Sequence, residues 1–124
     1  MKRKEERAVG ALGENYEENV ATLKRLLRTE QSFDMLSKRL VIEDGELTLF
    51  FIDGFAKDTV LQKLMMHFLS LKSLPKSASE FMDECLPYIE TDTTSDLSHM
   101  LDMVMSGGTL ILGSGFGREG ILLD

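Results

Sequence analysis

The residues with the clearest chemical pattern are Gly115-Phe116-Gly117-Arg118-Glu119-Gly120, a G-x-G-x-x-G run that follows an apolar stretch. Such spacing lets backbone N–H groups come close to phosphates. In a dinucleotide fold the glycines must open a helix, whereas here the apolar Ile121-Leu122-Leu123 follows. A strand, a glycine loop and a second strand lie nearer to a kinase phosphate loop, but the lysine strand and H-R-D segment that complete that machine are absent from this sequence. The simpler reading is a flexible hairpin connection over Gly113–Gly120. The alternative is a small-ligand or nucleotide-binding module using Gly113, Gly115, Gly117 and Arg118.

The other reactive side chains are weaker candidates. Asp53 ends an apolar run, where α/β enzymes often keep a carboxylate, yet no base, metal ligand or nucleophile stands near it in sequence and a turn explains it better. His67 and His99 each sit alone in helical surroundings, with no Cys/His pair at metal spacing. Asp92, Asp96 and Asp102 could form a carboxylate cluster, but Asp96 reads as first-turn helix charge and Asp102 as a solvated face. Cys85 lies at helical spacing from Phe81 and reads as core filler. The residues thus show no catalytic constellation, cofactor or metal site.

The totals narrow the field further. A chain of 124 residues holds one hydrophobic core, and 43% hydrophobic with 28% charged residues is the composition of a folded domain. A net charge of −7 with scattered Lys and Arg repels nucleic acid, which is not expected as a partner. One cysteine excludes an intrachain disulfide. No apolar run approaches the roughly 18–20 residues of a membrane span, so the chain reads as soluble.

The elements that must position these residues follow from periodicity. Residues 1–13 read as a flexible leader before a single α/β domain over 14–124. Asn15 with Glu18 opens an amphipathic helix over 16–29, with Tyr16, Val20, Leu23 and Leu27 on one face. Residues 34–42 and 47–52 form an antiparallel hairpin whose second strand is the more buried, and Asp53-Gly54 closes it. Helices follow from Asp58 to about Leu71 and from Ser77 to Leu86, then a short strand over Tyr88–Thr91 and a polar cluster over 92–95. Leu97, Met100, Leu101, Val104 and Met105 give the clearest helix. Strands Thr109–Leu112 and Ile121–Asp124 complete a mixed β-sheet of about five strands flanked by helices.

Several segments also resemble a known family. These are Tyr16-Glu17-Glu18-Asn19-Val20-Ala21-Thr22-Leu23-Lys24, Ser32-Phe33-Asp34 with Lys38-Arg39, Phe51-Ile52-Asp53-Gly54-Phe55-Ala56-Lys57-Asp58, Glu90-Thr91-Asp92, and Val104-Met105-Ser106-Gly107-Gly108-Thr109. Together they resemble the start of the GerA-type spore germination A-subunit family. The most specific part is the turn Ile52, Asp53, Gly54 and Phe55, to which the resemblance assigns a structural role. Family members usually carry a second apolar-strand-Asp-Gly turn where this chain has Gly113-Ser114-Gly115-Phe116. The resemblance implies an N-terminal soluble fragment of a multipass spore inner-membrane protein, facing the spore core. It further implies that the chain is no enzyme, that other germination subunits are partners, that the full-length protein is a homo-oligomer, and that the membrane is reached through a C-terminal region outside this sequence.

Overall fold

The computed structural model describes residues 10–28, 34–52, 58–75, 77–85 and 91–123, with the side chains of residues 58–60 and 85 outside that set. Its elements in chain order are α1 (Tyr16–Leu27), β1 (Met35–Ile42), β2 (Gly45–Ile52), α2 (Asp58–Leu69), α3 (Ala78–Cys85), β3 (Thr91–Thr94), α4 (Leu97–Met105), β4 (Thr109–Gly113) and β5 (Gly120–Leu123).

Local chemistry sets the helix ends. The Asn15 side chain accepts a 2.9 Å hydrogen bond from Glu18 N–H, satisfying an N–H that the first turn leaves open. Glu17 and Glu18 begin α1 and Lys24 and Arg25 end it, matching the helix dipole. Ser77 Oγ accepts from Glu80 N–H at α3, and the Asp96 carboxylate accepts from His99 N–H at α4. Asp96 is thus a cap, one position before the first-turn role expected of it.

The five strands lie in the order β1-β2-β4-β5-β3. The α/β architecture of five strands flanked by helices is as expected, but where a mixed sheet was read every neighbouring pair is antiparallel. The reason is topological. Strands β3 and β4 run in the same direction across the α4 crossover, and β5 fills the slot between them in the opposite sense.

The hairpin is in the expected place, with Ile42 opposite Gly45 and Met35 opposite Ile52. Its second strand starts earlier than residue 47. Gly45 belongs to it through its pairing with Ile42, and a Cβ there would lie 2.9 Å from Leu74 and 3.0 Å from the Ser114 hydroxyl. Strand β3 is Thr91–Thr94, so it runs on through residues 92–94, where a polar cluster was expected after a strand over Tyr88–Thr91. An edge strand paired only to β5 needs no apolar alternation, and β-branched threonines suit it. Residues 86–90 lie outside the described set.

Both faces of the sheet are covered. Leu47, Leu49 and Phe51 point to one face and meet Leu61 and Phe68 of α2 and Phe81 of α3. The alternate residue Phe50, with Leu110, Leu112 and Leu122, points to the other and meets Val20 and Leu23 of α1 and Met100 and Val104 of α4. This two-sided burial is why the Leu47–Ile52 run is almost continuously apolar.

Of the stretch read as a flexible leader, Gly10–Gly13 are held against the domain. Leu12 is buried, its N–H donates to Ser95 C=O, and Leu97 N–H donates to Gly10 C=O. The buried Asn19 amide grips Gly13 from both sides, accepting from its N–H at 2.9 Å and donating to its C=O at 3.0 Å.

Candidate functional site

The glycine loop connects β4 to β5 as a hairpin, with Ile111 opposite Ile121. Its glycines answer to packing. A Cβ on Gly113 would lie 2.7 Å from the Phe116 ring, and one on Gly120 would lie 3.0–3.1 Å from Leu110, Leu112 and Met100. Gly117 has φ +65°, the left-handed region that glycine enters without cost. Phe116 turns inward against Phe81, with ring centroids 5.4 Å apart, and Phe81 in turn meets Phe68 at 5.1 Å. Ser114 ties the loop to β2 in both directions, its N–H donating to Glu46 C=O and its hydroxyl accepting from Glu46 N–H. Arg118 points to Glu14 at 2.8 Å, an exposed pair. The loop is therefore a hairpin connection, as expected, and it is fastened to the core through Phe116 and Ser114.

The remaining sequence candidates are dispersed. Ile52 ends β2 opposite Met35, while Asp53, Gly54 and Phe55 lie outside the described residues, as does the Cys85 side chain. His67 and His99 are exposed on different helices. Asp92 is exposed on β3 and accepts from Thr93 N–H, so its carboxylate and that of Asp96 serve local backbone groups. Among the described residues, no three of His, Cys, Asp and Glu gather as a metal ion would require.

A polar constellation that sequence reading missed lies where α1 crosses β1 and β2. Thr48 is buried in mid-strand, and its hydroxyl is 2.5 Å from the Tyr16 phenol oxygen. Burial pushes the Tyr16 phenol above its ordinary pKa, against the opposing effect of the Thr48 hydrogen bond. The Arg39 guanidinium lies 5.7 Å from the centre of the Tyr16 ring and bridges Glu17 of α1 to Glu46 of β2 at 3.1 and 3.0 Å. The hydrogen bond to Glu17 holds Arg39 more firmly protonated than usual. All five side chains are satisfied by one another, so the cluster docks a helix and leaves no group poised for a reaction. The only sequence signal for it was a threonine inside an otherwise apolar strand.

Between the C-terminal end of α1 and one side of α4 lies a cleft of about 290 Å³. Leu26, Leu27, Leu101 and Met105 line it together with Arg28, Ser98 and Asp102. Met105 is 60% exposed, and on the same side of the sheet Val41 of the β1 edge strand is 65% exposed. The cleft and the β1 edge thus expose apolar side chains, and the polar groups at the cleft are those of Arg28, Ser98 and Asp102.

The model of the family described as Bacillus/Clostridium GerA spore germination protein matches residues 21–124. The chain belongs to the GerA family. Its fold is similar to the crystal structure of the N-terminal domain of the A subunit of the Bacillus megaterium spore germinant receptor GerK3, with a TM-score of 0.74 at 16% identity. That likeness is one of fold. It covers 95% of this GerA-family chain and 49% of the GerK3 one, so the chain spans about half the length of its structural relative. No curated protein matches it. Among the described residues, no helix is long and apolar enough to cross a membrane.

Proposed function

We propose that this chain is the N-terminal domain of a GerA-type spore germination membrane protein, and that it serves assembly or signal relay in a germination ion-channel or receptor complex instead of catalysing a reaction. Within the family its motif wording resembles stage V sporulation protein AF. The full-length protein would sit in the spore inner membrane with this domain on the spore-core side, meeting other germination subunits and further copies of itself. The observation that carries the reading is the combination of family membership with polar side chains that are spent on holding the fold, while apolar ones stand exposed at the α1–α4 cleft and the β1 edge. The alternative, a small-ligand or nucleotide module at Gly113–Gly120, has less behind it, because packing already accounts for the glycines at 113 and 120 and a left-handed turn for that at 117.

The test is made in spores carrying the full-length protein. Met105→Asp and Val41→Asp place a charge on each surface without touching the core. The reading expects normal accumulation, reduced recovery of the protein in its membrane complex, and slower germination. It fails if deletion of the whole domain leaves complex recovery and germination unchanged.

A further inference from the structure

The inner side of α2 is consumed by the core, where Leu61 and Phe68 are buried. Its outer side is unusual for a surface helix. Gln62, Lys63, Met66, Leu69 and Ser70 fall within about a third of the helical circumference and all are exposed, Met66 at 71% and Leu69 at 51%. The turn after the helix adds exposed Lys72. Neither Lys63 nor Lys72 is ion-paired among the described residues.

Charge distribution sharpens the point. The chain carries 21 Asp and Glu against 14 Lys and Arg, yet between Asp58 and Glu80 there is no carboxylate at all, and the charged residues there are Lys63, Lys72 and Lys76. An acidic protein thus has a stretch free of carboxylates over residues 59–79, and from the helix within it two large apolar side chains protrude beside Lys63. Among the described residues the exposed large apolar side chains of this helix are Met66 and Leu69, a narrow patch for a folded partner. Protruding apolar groups flanked by lysines are what a helix needs to lie at a lipid interface, the lysines meeting anionic headgroups and the apolar tips entering the acyl boundary. A soluble acidic partner would be served by the lysines alone.

We propose that the outer face of α2 rests on the surface of an anionic lipid bilayer, with Met66 and Leu69 inserted and Lys63 and Lys72 against lipid phosphates. The inference stands on this helix alone and is independent of the assembly role proposed above.

The test is sedimentation of the chain with vesicles of equal parts phosphatidylcholine and phosphatidylglycerol, against vesicles of phosphatidylcholine only. Binding is expected to the anionic vesicles at low salt and to fall as ionic strength shortens the screening length from about 30 Å to about 8 Å. Lys63→Glu with Lys72→Glu should weaken it by at least about 25-fold, roughly fivefold for each lysine lost. Met66→Ser with Leu69→Ser should weaken it by at least about tenfold. All four positions are exposed, so an unchanged thermal melt verifies that each variant is folded. The proposal is overturned if anionic vesicles bind no better than neutral ones, or if the Met66→Ser, Leu69→Ser chain binds like the parent. Binding to soluble polyglutamate that matches vesicle binding and ignores the apolar substitutions would identify a patch that seeks acidic macromolecules, and would equally overturn it.

Discussion

Gly113 and Phe116 are in a contact that no other residue at 113 could allow. A Cβ there would lie 2.7 Å from two atoms of the Phe116 ring, and that ring is held from its other side by Phe81. Gly113→Ala must therefore push an aromatic group out of a packed core, at a cost of about 2–3 kcal/mol in urea unfolding. Phe116→Leu should remove part of that cost when combined with it, giving a non-additive double mutant.

The Tyr16–Thr48 bond makes a second prediction. Tyr16→Phe leaves the buried Thr48 hydroxyl without its side-chain partner, and the expected loss is about 1–2 kcal/mol. Tyr16→Phe with Thr48→Val should recover much of it, since both ends of the bond are then apolar. Chemical denaturation of the three variants measures this.

Alkaline pH tests the same phenol through linkage. Its folded pKa is raised above the ordinary value near 10.0, so the folded state keeps the proton that the unfolded chain releases first. The stability this contributes is fully present below about pH 10 and is lost as pH rises through the folded pKa. Tyr16→Phe should flatten that part of the stability profile and leave its neutral region parallel to the parent.

Asn19→Ala should release the Gly10–Gly13 strap. Two hydrogen bonds to Gly13 disappear and the backbone groups they served must find water, costing about 1–3 kcal/mol. Hydrogen exchange supplies the specific signature. The amides of Leu12 and Leu97, which bond across to Ser95 and Gly10, should lose protection before those of β2.

Phe81 joins the rings of Phe68 and Phe116 and is fully buried. Phe81→Ala should cost about 3–5 kcal/mol, while Phe81→Leu should cost markedly less because it fills most of the same volume. Comparison of the two melts separates loss of volume from loss of the aromatic contacts.

Much of this architecture was legible because local and global signals agreed. Asn15 and Glu18 marked a helix start that tertiary packing then used, and the Leu47–Ile52 run announced a strand covered on both faces. The misses have physical causes. Thr91–Thr94 is an edge strand without apolar alternation, so only its pairing with β5 defines it. Leu12 sits between glycines, where no periodicity can reveal that it fills the space beside α4. The antiparallel arrangement follows from where β5 inserts, a long-range choice to which no residue pattern corresponds. The Tyr16–Arg39–Thr48 cluster unites three elements and was invisible until α1 was laid across the hairpin. The G-x-G-x-x-G pattern misled for the opposite reason, since the features that admit a phosphate also admit a phenylalanine ring.

The position of β5 bears on how the domain can be made. Among the described strands, β3 pairs with β5 alone, and β4 meets β3 only through it. A chain growing from its N-terminus can close the first hairpin early, yet the far edge stays unanchored until Gly120–Leu123 has been synthesised. Maturation of the sheet thus waits on four late residues, and ribosome-bound chains arrested before Gly120 should remain protease-sensitive at Thr91–Thr94.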